Sequence, residues 1–157
     1  MKYLKKLENK KLEKIIEYHD NGNIKFILYR LYSLFHREDG PAYQSWYYNG
    51  RICAEYYYLN NKYHRLDGPA YQYWYENGQK KQEVYYINDL LHREDGPAAQ
   101  YWDINLNVNL NKILYFLNGV KYEREEWLEE LKKMNSPHYE EQKELYELEQ
   151  NMEKYNL

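Results

Sequence analysis

The chain alternates in twos over much of its length. Ala42, Gln44 and Trp46 point to one side of an extended segment, and Tyr43, Ser45 and Tyr47 to the other. The pattern returns as Ala70, Gln72 and Trp74 against Tyr71, Tyr73 and Tyr75, then as Ala98, Gln100 and Trp102 against Ala99, Tyr101 and Asp103. A period of two predicts strands. Asn49-Gly50 and Asn77-Gly78 follow the first two runs. Such a pair predicts a hairpin with a type I′ turn, which needs positive φ at both central residues. Returning strands over 51–59 and 79–87 end in Tyr57-Tyr58-Leu59 and Tyr85-Tyr86-Ile87, matched later by Tyr115-Phe116-Leu117. Asn60-Asn61, Asn88-Asp89 and Asn118-Gly119 then predict a second turn each time.

The strands belong to a longer period. His36-Arg37-Glu38-Asp39-Gly40-Pro41-Ala42 recurs as His64-Arg65-Leu66-Asp67-Gly68-Pro69-Ala70 and as His92-Arg93-Glu94-Asp95-Gly96-Pro97-Ala98, 28 residues apart each time. A fixed period of this size marks a repeat architecture. In Asp-Gly-Pro, glycine tolerates positive φ, proline fixes its own φ, and aspartate accepts nearby N–H groups, so each tract predicts a turn that launches a strand. Asn21-Gly22, Ile24 and Leu31 extend the register backward without the loop, giving units of about 8–35, 36–63, 64–91 and 92–121. Two extra residues within 105–111 predict a longer hairpin loop in the last unit.

Residues 122–157 change character. Trp127, Leu128, Leu131 and Met134 share one face of a predicted helix over 123–134. Ser136 and Pro137 predict the start of a second helix, from about 137 to 155. Lys2 to Lys11 carries only a poor helical signal. The expected fold is mainly β: a single-layer antiparallel sheet of about four stacked hairpins over 1–121, closed by C-terminal helices that cap an exposed edge.

The His-Arg-Glu-Asp-Gly-Pro-Ala loop and the Asn-Gly hairpin resemble MORN repeats. More closely, they resemble the MORN-variant repeat proteins of giant DNA viruses and some bacteria, where related repeats are labelled antitoxins. The resemblance spans roughly residues 15–121, and Asn118-Gly119-Val120-Lys121-Tyr122 running into Trp127 is similar to the way such chains end. It implies a MORN-like solenoid and a viral or bacterial accessory protein.

Composition narrows the chemistry. There are 22 tyrosines but only three phenylalanines, so apolar area comes mostly with a hydroxyl attached. A net charge of -3 argues against nucleic acid as a partner. Met1 to Lys14 does not read as a signal peptide, and no stretch approaches the ~20 apolar residues of a membrane span. The expectation is an intracellular protein, cytoplasmic or in the host cell or virion if viral, without integral membrane association. Equivalent histidines two strands apart sit roughly 9.5 Å from one another, too far to share one metal. His36, His64 and His92 are therefore read as structural, together with Asp39, Gly40, Pro41, Asp67, Gly68, Pro69, Asp95, Gly96 and Pro97. No catalytic residue, metal site or cofactor is expected, and Cys53 reads as a small apolar filler.

Trp46, Trp74 and Trp102 are expected to pack with Tyr58, Tyr86 and Phe116 as the core. The opposite face, with Tyr43, Tyr47, Tyr71, Tyr75 and Tyr101, is the candidate partner surface. Leu145, Leu148, Met152 and Tyr155 are spaced 3-4-3, a candidate self-association seam. The expected function is a non-enzymatic repeat scaffold that binds another protein, a second copy included. The alternatives are a carbohydrate-binding aromatic module and an antitoxin-like inhibitor.

Overall fold

The computed structural model describes residues 12–104 and 112–155, with only the backbone described at Tyr155. The expected loop at 105–111, the helical signal at 2–11 and the Tyr155 end of the seam lie outside what is described.

The fold is mainly β, with two helices at the C-terminal end. Long antiparallel hairpins follow one another across one sheet: β1 (Glu13–Tyr18) with β2 (Ile24–Leu31), β4 (Tyr43–Trp46) with β5 (Ile52–Tyr56), β8 (Tyr71–Trp74) with β9 (Lys80–Val84), and β12 (Ala99–Tyr101) with β13 (Lys112–Leu117). Each is followed by a short hairpin. These pair β2 with β3 (Leu34–Phe35), β6 (Tyr58–Leu59) with β7 (Lys62–Tyr63), β10 (Tyr86–Ile87) with β11 (Leu90–Leu91), and β13 with β14 (Val120–Tyr122). Helix α1 (Arg124–Lys133) and helix α2 (Tyr139–Tyr155) follow the last strand.

The first kind of turn differs from expectation. Gly50 has φ +80° and Asn49 is not in the positive-φ region. The Gly50 N–H donates to Tyr47 O at 2.9 Å and the Tyr47 N–H to Arg51 O at 2.9 Å, closing a three-residue loop with a glycine bulge. Paired positive φ belongs to the short hairpins instead: Asn60 and Asn61 at 51° and 66°, Asn88 and Asp89 at 53° and 67°. These are the type I′ turns. Asparagine and aspartate tolerate this backbone better than other residues with a Cβ.

Contacts between successive hairpins recur at the sequence period. The Tyr47 hydroxyl donates to Trp74 O at 2.7 Å and the Tyr75 hydroxyl to Trp102 O at 2.9 Å. His19, 28 residues before Tyr47, meets Trp46 O at 3.0 Å in the same place. Ala42, Ala70 and Ala98 are fully buried, and their carbonyls accept from the N–H groups of Tyr29, Tyr57 and Tyr85.

The aromatic packing corrects the expected tryptophan core. One column of rings runs across the sheet: Phe26–Tyr43 at 6.1 Å, Tyr43–Tyr56 at 5.2 Å and Tyr56–Tyr71 at 4.7 Å between centroids. A second runs along the short hairpins: Phe35–Tyr58 at 5.3 Å, Tyr58–Tyr63 at 4.3 Å and Tyr63–Tyr86 at 5.2 Å. Edge-on contacts such as Tyr56–Tyr63 and Tyr63–Tyr71 lock the columns together. The reason is register. Tyr43 pairs with Tyr56, which carries Tyr56 and Tyr58 to the Tyr43 face. The Trp46 face carries hydrogen-bonded pairs instead, Gln44 with Glu55 at 2.7 Å and Gln72 with Glu83 at 2.9 Å.

The helices close the far end. Leu117, Trp127, Leu128 and Leu131 form a buried apolar cluster, with Tyr115, Tyr122, Tyr139 and Tyr146 against it. Glu123 and Glu126 make a capping box at the start of α1. Met134, expected on the buried face, is the helix C-cap and is exposed. Helix α2 begins at Tyr139; the Ser136 hydroxyl before it donates to Glu94 and accepts the His138 N–H. No helix of the described residues is long and apolar enough to cross a membrane.

Candidate functional site

The three His-Arg-x-Asp-Gly-Pro loops stand in a row on one side of the sheet, and each is built alike. Arg37 Nε donates to Asp39 at 2.7 Å, Arg65 Nε to Asp67 at 2.8 Å and Arg93 Nε to Asp95 at 2.7 Å. Each guanidinium lies over the tyrosine ring beneath it, at 4.2 Å for Tyr29, 4.0 Å for Tyr57 and 3.9 Å for Tyr85. A second arm reaches the carbonyl of Pro41, Pro69 or Pro97. The arginine hydrogen bond and charge hold Asp39 and Asp67 below the usual carboxylate range. At Asp95 burial is the largest influence and acts upward, but the Arg93 hydrogen bond and charge, with smaller help from a backbone N–H and His138, leave this group lowered as well.

This geometry gives the glycine a different role from the expected one. A Cβ at Gly40 would lie 3.0 Å from Arg37 Cζ, and one at Gly68 2.9 Å from Arg65 Cζ. The glycine leaves room for the folded-back arginine; Gly40 and Gly68 do not have positive φ, whereas Gly96 does, at +156°.

The histidines pin each loop to the following short hairpin. His36 Nδ1 accepts the Asn60 N–H and His92 Nδ1 the Asn118 N–H, both at 3.1 Å, while His64 Nδ1 meets the Asn88 side chain at 3.0 Å. Backbone bonds reinforce the joint, with the N–H groups of Arg37, Arg65 and Arg93 donating to Tyr58, Tyr86 and Phe116. Among the described residues, no group of three or more His, Cys, Asp or Glu side chains converges as a metal ion requires.

Between successive loops lie two open grooves, of about 480 and 410 Å³. Every lining position of the first has its counterpart 28 residues later in the second. Tyr57 and Tyr85 lie in the grooves, Leu59 and Ile87 give apolar wall, and Asp39, Asp67 and Asp95 line them from the loops. Leu66 lines both grooves and is 78% exposed. His138, from the turn before α2, joins the second groove.

The C-terminal cap takes the place of a further loop. Trp127 sits on the Tyr115 ring at 4.8 Å, as arginines sit on Tyr29, Tyr57 and Tyr85, and its Nε1 donates to Arg93 O at 3.3 Å. The buried Gln142 donates to Asp95 O at 3.2 Å. Sequence reasoning did not single out Gln142, His138 or the Ser136–Glu94 bond. None recurs with the 28-residue period, the one signal that marked the loops.

The five tyrosines of the candidate partner surface are half-buried and engaged within the chain. Tyr43 and Tyr71 belong to the ring column. The hydroxyls of Tyr47 and Tyr75 bond backbone, and Tyr101 lines a small cleft with Tyr75 and Lys81. Leu145, Leu148 and Met152 of the candidate seam are exposed on α2. No protein family, no curated protein and no solved structure matches the chain.

Proposed function

We propose that this chain is a non-enzymatic repeat scaffold that binds another protein along its row of loops, a MORN-like open solenoid serving as a viral or bacterial accessory protein. The observation that carries the reading is the position-for-position equivalence of the two grooves. A reaction centre needs one privileged constellation, whereas a periodic surface suits an extended partner that meets equivalent positions at each step. The arginine, aspartate and histidine side chains of the loops hold the loops together, which leaves the groove walls and the exposed Leu66 as the recognition surface. An antitoxin-like inhibitor is one form of this reading, with a toxin as partner. A carbohydrate module is disfavoured, because a sugar needs free ring faces and the column tyrosines stack on one another.

The test is a pull-down from native lysate with the wild type and with Leu66→Arg, a change at a side chain exposed in both grooves. A partner held by the wild type should bind the variant at least about tenfold more weakly, a difference of ~1.4 kcal/mol. Equal capture by both proteins would remove the grooves from the account.

A further inference from the structure

Helix α2 divides cleanly by face. Tyr139, Gln142, Tyr146 and Glu149 turn toward the sheet and α1, where Tyr139 and Tyr146 join the apolar cluster, Gln142 bonds Asp95 O and Glu149 pairs with Arg124. Leu145, Leu148 and Met152 lie on another face and are 43%, 57% and 45% exposed. At 100° per residue they fall within an arc of about 60°. Glu141 lies in line with this stripe and Glu144 borders it, both exposed. The lysines lie on the far side, Lys143 beside Glu147 at 3.8 Å. The helix carries six glutamates and two lysines, hence 2 − 6 = −4. An occupant of this stripe must be apolar and basic.

The chain contains such a segment. Residues 1–11 carry five lysines and one glutamate, hence 5 − 1 = +4, with Leu4 and Leu7 among them. The segment precedes β1, at the opposite end of the strand order from the helices. From β1 to β13 is seven strand steps, roughly 34 Å at about 4.8 Å each. Eleven residues span at most about 40 Å when fully stretched, which leaves about 6 Å, less than the roughly 10 Å length of the stripe.

We propose that residues 1–11 of one copy bind the Leu145–Leu148–Met152 stripe of a second copy, head to tail. This rests on the reading of the chain as an interaction scaffold and names a second copy as one partner. The contact joins two different surfaces, so it builds linear arrays or rings, a reciprocal two-membered ring included. Ion pairing between lysines and glutamates makes it salt-sensitive.

Light scattering on the full chain and two variants tests it. Lys5→Glu/Lys6→Glu blocks the head, and Leu148→Glu/Met152→Glu blocks the tail at side chains exposed in the monomer. The wild type should rise in mass above 19.6 kDa with concentration and fall back in high salt. Each variant alone should stay monomeric. Their equimolar mixture should form a 1:1 complex, because one intact head meets one intact tail. A peptide of residues 1–11 should dissociate the wild-type assembly. A wild type that is monomeric at every concentration, a head variant that assembles as the wild type does, or a mixture without the 1:1 complex overturns the proposal. None of these results touches groove binding, which Leu66→Arg reads separately.

Discussion

At the scale of single residues, the account rests on an arginine folded back over a glycine. Arg65 stacks on Tyr57, pairs with Asp67 and reaches Pro69 O, all above a position where a Cβ would lie 2.9 Å away. Gly68→Val should push the guanidinium off these partners at a cost of about 1–2 kcal/mol. In an Arg65→Ala background the same change should cost markedly less, because nothing remains to be displaced. Chemical denaturation of the four proteins in this cycle measures the coupling, and additive losses would show that the arginine does not set the glycine. The recurrence of Gly40, Gly68 and Gly96 was plain in the sequence. Its cause was not, because the clash is with a side chain three residues earlier and appears only once the loop has closed.

At the scale of elements, the two turns of each unit separate by backbone sign. Asn61 holds φ +66°, whereas Asn49 does not enter the positive region. Asn61→Val should therefore lose about 1–2 kcal/mol from a left-handed β-branched residue. Asn49→Val should lose less, mainly the bond from the Arg51 N–H to the Asn49 side chain at 3.0 Å. Equal melting temperatures for the two variants would count against the turn assignment. Strand positions, the second turns and both helices could be read from period and turn residues. The face shared by Tyr43 and Tyr58 could not, since it depends on which residue opposes which across the hairpin. Nor could the bond from the Ser136 hydroxyl to Glu94, which joins residues 42 apart.

Across the whole molecule, two columns of half-buried tyrosines run beside a small buried core of alanine, leucine and valine that ends in the Leu117–Trp127–Leu128–Leu131 cluster. Burial pushes the Tyr56 and Tyr58 phenols far above the ordinary tyrosine range, and Tyr63 and Tyr86 rise for the same leading reason. The folded state thus keeps protons that the unfolded chain releases. This contribution is complete below the ordinary tyrosine value of about 10 and is lost as pH rises beyond it. Stability should fall above about pH 10, and Tyr56→Phe should make that fall shallower by up to ~1.4 kcal/mol per pH unit. An unchanged slope would mean that the Tyr56 hydroxyl titrates freely. The loop carboxylates act in the opposite sense. Asp39, Asp67 and Asp95 are lowered, so what they contribute is present above the ordinary carboxylate value and is lost as pH falls through their folded values.

Equivalent loops are held against successive short hairpins by the same backbone bonds, so that equivalent groove positions are presented twice. Amide hydrogen exchange resolved by residue tests it most directly. The N–H groups of Arg37, Arg65 and Arg93 donate to Tyr58 O, Tyr86 O and Phe116 O at 3.0, 3.1 and 3.1 Å, although all three residues sit in loops. The account predicts that these three amides are protected to a similar degree, well above the neighbouring Glu38, Leu66 and Glu94. Exchange of all three at the rate of free loops, or protection at only one, would contradict it.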